Sequence, residues 1–174
     1  MSAIGGKADI AAADGTLLTA LMHWSQIAPH FEADGSLRDI YICGTSIDDW
    51  ASVWTALIVE PRCLAFTIDG ELSTVPSVVT TAFLLGRAHS VCASYALGRQ
   101  RLNCHFFSED EIEFDLDPRD VVGPDDAKQL AEFMTRMGRV TSKEVRLTPE
   151  NEVGSAIARY EPVTDELVWM PITA

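Results

Sequence analysis

The sequence predicts an α+β fold: a mostly antiparallel sheet, mixed where a β-α-β unit adds a parallel pair, with three to four helices packed mainly on one face. Two observations carry this. Segments of period 2 and period 3.6 intermingle along the 174 residues without the regular strand–helix repeat of a parallel α/β fold. Glycine-containing turns also separate strand-like runs closely enough to form hairpins, which pair antiparallel. The length suits one globular domain, 14–174, preceded by a flexible leader, 1–13, of mostly small residues without apolar periodicity.

Asp14 or Thr16 caps a first helix carrying Leu17, Leu18, Leu21, Met22 and Ser25, which ends before Pro29. Asp34-Gly35 is a turn signal. Arg38–Cys43 reads as a buried strand broken by Gly44-Thr45. Ser46 and Asp49 then fit a capping box, and Ile47, Trp50, Ala51, Trp54, Leu57 and Ile58 form one face of a helix stopped by Glu60-Pro61. Residues 62–68 form a strand closed by Asp69-Gly70. The β-α-β piece 38–68 is where a parallel pair with a right-handed crossover is expected.

Residues 76–85 mix Pro76, suited to a first helical turn, with β-branched residues; Gly86 as a terminator tips the reading to helix. Strands at 90–97 and 100–107 flank Gly98-Arg99 as a hairpin, and the strict alternation of 111–116 adds a third strand. Pro124, Asp125 and Asp126 open a helix whose buried stripe is Ala127, Leu130, Ala131, Phe133, Met134 and Met137, closed by Gly138. Strands at 144–147, 156–160 and 167–170 complete the chain.

Twenty-six acidic side chains against 13 Lys and Arg leave a net charge of −13. That excess argues against nucleic acid and anionic membrane surfaces as partners, which require clustered cations. The longest uncharged stretches, 15–31 and 72–86, fall short of the roughly 20 apolar residues a membrane helix needs. With Lys7 followed by Asp9 and no strongly apolar run behind it, no secretion signal is read, and the expected location is cytoplasmic. Cys43, Cys63, Cys92 and Cys104 form no C-x-x-C pair and are expected as reduced, small core residues.

The strongest anomaly is the segment 109–126, with nine acids and one base, Arg119. Period-2 geometry sets Glu111, Glu113, Asp115 and Asp117 on one face at ~7 Å intervals, a repulsive row unless a cation answers it. Three readings stand: a solvated edge strand kept from aggregating by its charge, a docking surface for a basic protein, and a divalent-metal site at Asp115-x-Asp117. No catalytic signature accompanies them. Cys104 and His105, adjacent on a strand, point to opposite faces, and nothing in the sequence brings another histidine to a thiol. The turn Cys43-Gly44-Thr45-Ser46 reads as a helix cap rather than an anion cradle, and Trp50 with Trp54 as core. No catalytic residue, metal ligand or cofactor is assigned.

A small acidic α+β layout without a recognisable active site resembles the immunity proteins that neutralise bacterial polymorphic toxins. The closing stretch, Leu147-Thr148-Pro149-Glu150-Asn151 running into Ile157-Ala158-Arg159-Tyr160-Glu161-Pro162, is similar to the end of uncharacterised bacterial proteins. That class shares no motif, so the resemblance transfers no residue role. The expected function is non-enzymatic binding of a basic protein surface through Glu109, Asp110, Glu111, Glu113, Asp115 and Asp117. The alternatives are a small enzyme or ligand binder with a pocket of sequence-distant residues, and a homo-oligomer paired through an exposed strand.

Overall fold

Alternate residues of most strands turn to one side of a single sheet and are buried there, and among the described strand residues only Asp39, Tyr41 and Thr148 are buried on the other side. The computed structural model describes residues 24–171. Within them run α1 (Trp24–Ile27), a 3-10 turn (Ala28–Phe31), β1 (Arg38–Cys43), α2 (Ile47–Ile58), β2 (Leu64–Ile68), β3 (Glu71–Ser73) and α3 (Val79–Gly86). Then follow β4 (Val91–Leu97), β5 (Gln100–His105), β6 (Glu111–Leu116), a 3-10 turn (Pro118–Asp120), α4 (Pro124–Thr141), β7 (Val145–Pro149), β8 (Ala158–Glu161) and β9 (Glu166–Trp169). The sheet order is β3-β2-β4-β5-β6-β1-β7-β8-β9, with every neighbouring pair antiparallel. The α+β class is therefore as the sequence predicts.

The parallel pair is not formed. β1 and β2 run in the same direction, but β6, β5 and β4 lie between them. The β4–β5–β6 meander closes through short local connections and offers β1 an antiparallel partner whose core side matches it, Ile42 opposite Ile112 and Ile40 opposite Phe114. The strand at Glu71–Ser73 is absent from the sequence reading. It forms because Asp69 (φ 53°) and Gly70 (φ 85°) both adopt the left-handed conformation that a two-residue hairpin turn demands.

The helices cover the apolar side. On α2, the capping box forms as expected, with Ser46 Oγ accepting from the Asp49 N–H and the Asp49 carboxylate accepting from the Ser46 N–H. Trp50 and Trp54 are buried among Phe66, Phe83 and Phe106, and their indole N–H groups reach the Ser108 and Pro76 carbonyls at 3.2 and 2.9 Å. Each buried aromatic contributes on the order of 2–3 kcal/mol, and the satisfied N–H groups avoid an offsetting cost.

Helix α4 does not stop at Gly138. It continues to Thr141 and ends at Ser142 in the left-handed conformation (φ 54°). Gly138 instead marks the closest approach to β8: a Cβ there would lie 2.1 Å from the Tyr160 ring. Helical structure also passes through Pro29, as the 3-10 turn that follows α1. The expected leader and the start of the first helix lie outside the described residues. No helix among those described is long and apolar enough to cross a membrane.

Candidate functional site

The side of the sheet opposite the helices carries a polar field. On β6 the even residues Ile112, Phe114 and Leu116 enter the core, so Glu111, Glu113 and Asp115 rise together on the other face, half-buried. Strand register adds their neighbours: Asp39 and Tyr41 of β1 oppose Asp115 and Glu113, while Asn103 and His105 of β5 oppose the same two from the other side. One strand further, Ser94 and Cys92 of β4 oppose Asn103 and His105. β6 is thus the fifth of nine strands and not an edge strand, which removes that account of its charges.

Hydrogen bonds knit this field into a chain. Ser94 Oγ donates to Asn103 Oδ1 (2.8 Å), Asn103 Nδ2 to Asp115 Oδ1 (2.8 Å), and His105 Nε2 lies 2.6 Å from Asp115 Oδ2. The His105 ring also stacks on that of Phe107, a residue 77% exposed, with centroids 5.1 Å apart and planes within 7°. The bond to Asp115 raises the His105 pKa, against burial, which lowers it. Burial raises Glu113, helped by the nearby Asp39 charge.

Asp39 is only 2% exposed, yet it carries a carboxylate. The loop after β7 folds back over it, so that Asp39 Oδ2 accepts from the Asn151 N–H (2.7 Å) and the Tyr41 hydroxyl (2.9 Å). Burial is the larger influence and raises its pKa. The hydroxyl of Tyr41 is shifted up in turn by burial and by that bond.

Of the six expected site residues, the fold therefore gathers Glu111, Glu113 and Asp115. Glu109 and Asp110 sit in the turn before β6, where their carbonyls hold the Thr45 hydroxyl (2.8 Å) and N–H (3.0 Å), and the Asp110 carboxylate meets Ser108. Asp117 leaves the row to cap the 3-10 turn, and the Arg119 guanidinium beside it holds its carboxyl below the usual range. Its oxygens and those of Asp115 thus face different partners, so they make no pair of metal ligands. Among the described residues no Lys or Arg bridges Glu109, Glu111 or Glu113. No family model, curated protein or solved structure matches the chain.

The thiols depart from their expected role. Only Cys104 is a buried core residue; Cys43 and Cys92 stand on the polar face and Cys63 precedes β2. The β4–β5 register does bring a thiol opposite a histidine, Cys92 to His105, which the sequence did not suggest. Burial pushes the Cys92 thiol up, so the pair lacks the thiolate a nucleophile needs. The sequence also missed Asp39, whose one signal was a carboxylate inside the buried run RDIYIC. On the helical side an opening of about 780 Å³ lies along α4 and β9, walled by Trp24, Leu167 and Trp169. The rim cations Lys128, Arg136 and Arg139 are paired there with Glu132, Glu60 and Asp165.

Proposed function

We propose that the protein is a non-enzymatic binding module that docks a basic protein surface on the polar face of its sheet, centred on Glu111 and Glu113 of β6. The observation that supports this is the pairing census around that strand. Two carboxylates stand half-buried on a central strand, no described helix packs over them, and no described Lys or Arg bridges them. Like charges held this close raise the energy of the free protein, and an incoming cation relieves it. Such a face accelerates encounter with a positive partner and discriminates against negative ones.

In its fuller form, suggested by the resemblance to immunity proteins, the basic surface is a toxin's active-site cleft, inhibited by occlusion. An inhibitor of that kind needs no reacting group of its own, consistent with a Cys92 thiol held protonated. The test replaces Phe107, exposed beside the face, with an aromatic photo-crosslinking residue in the full chain. The expected result is trapping, at low salt, of a protein through a Lys- or Arg-rich segment. Trapping through a neutral or acidic segment, or trapping indifferent to molar salt, would overturn the reading.

A further inference from the structure

His105 is the one group in the hydrogen-bonded chain Ser94–Asn103–Asp115–His105 whose side chain ordinarily changes charge near neutral pH. It stands at the flank of the carboxylates of the face, bonded to Asp115 and opposite Glu113. We propose that the His105–Asp115 pair is a proton switch on the docking face: the imidazolium cancels part of the carboxylate field and releases a cationic partner on acidification, and the neutral ring restores the hold. This rests on the docking reading above.

The surroundings of His105 favour that role. β6 presents Glu111, Glu113 and Asp115, and beyond it β1 presents Asp39, Tyr41 and Cys43 and β7 presents Arg146. β4 presents Cys92 and Ser94, and β5 itself carries Arg101 and Asn103 on the same face. Carboxylates outnumber cations here, so the proton added at His105 is a large fraction of the local charge. The exposed Phe107 ring lies parallel over the imidazole and presents a π face to the charged form. The bond to Asp115 shifts the imidazole titration upward from its ordinary value, against burial. Burial raises Asp39 and Glu113 as well, so acidification removes their charge early and acts in the same direction.

The experiment measures binding of an octa-arginine peptide to the full chain by fluorescence anisotropy at constant ionic strength, from about pH 5.5 to about pH 8.5, the span in which histidine titrates. Affinity is expected to rise about threefold with pH, the worth of one charge at roughly 6 Å in water. Its midpoint should coincide with the His105 imidazole titration followed by NMR. His105→Gln should lose the step at that midpoint and keep only the fall at the acid end that protonation of Asp39 and Glu113 causes, and His89→Gln should keep the step. A step at the imidazole midpoint that survives in His105→Gln, or wild-type binding that is flat with pH, overturns the switch alone. Absence of binding at every pH overturns the docking reading together with it.

Discussion

His105 Nε2 and Asp115 Oδ2 meet at 2.6 Å on a diagonal of the sheet: in register His105 faces Glu113, and Asp115 faces Asn103. This diagonal bond, not the direct cross-strand neighbour, sets the charge of the imidazole. Asp115→Asn should lower the His105 pKa, because burial is then opposed only by the weaker pull of the Glu113 and Asp39 charges. A raised folded pKa stabilises the fold fully below the unfolded value and ceases to do so as pH rises through the folded one. The variant should therefore lose on the order of 1 kcal/mol below about pH 6.5, with the gap narrowing above neutrality. NMR titration and urea unfolding at several pH values check both parts.

Asp39 carries the opposite sign. Its folded pKa is raised by burial, so the wild type loses stability as pH rises from the unfolded carboxylate value through the folded one. Asp39→Asn keeps an oxygen for the Asn151 N–H and the Tyr41 hydroxyl while removing the charge. Its melting temperature should exceed that of the wild type by a few degrees at pH 8, and the excess should vanish in acid. Differential scanning calorimetry across pH reads this directly.

Gly138→Ala tests the contact of α4 with β8. Alanine gains about 1 kcal/mol of helix propensity over glycine. Its Cβ would nevertheless fall 2.1 Å from the Tyr160 ring, and that ring is buried under the helix. Overpacking, which costs about 1–3 kcal/mol or more, should outweigh that gain and leave the variant less stable by urea denaturation. Gly154→Ala, where a Cβ meets nothing within 4 Å, is the control and should change little.

Ser46→Ala should cost about 1 kcal/mol, since the Asp49 N–H loses the hydroxyl that accepts from it and only the bond from the residue-46 N–H to the Asp49 carboxylate is left of the capping box. Binding through the acidic face should remain as in the wild type, which separates stability of α2 from function.

Signals confined to one segment were legible in the sequence. The bounds of β1, α2 and β6 follow from a buried apolar run, a capping box and strict alternation, each complete within a dozen residues. What failed was non-local. Glu71–Ser73 is exposed along its whole length and becomes a strand only by pairing with β2. Gly138 carries a local stop signal that the Tyr160 contact overrides. Asp39 joins the site through the β1–β6 register, and that register depends on the β4–β5–β6 meander displacing β2 from beside β1. The face of β6 could therefore be read in advance, whereas its neighbours could not.

The most direct test of the docking account is the association rate of the full chain with the partner trapped through position 107, measured by stopped flow as salt is raised. For the wild type the rate should fall by about tenfold or more between low and roughly 0.5 M ionic strength, as screening shortens the reach of Glu111 and Glu113. The double variant Glu111→Gln, Glu113→Gln should start slower and depend on salt far less, with its unfolding midpoint unchanged or raised. A rate that ignores salt, or a double variant that associates as the wild type does, would contradict the account.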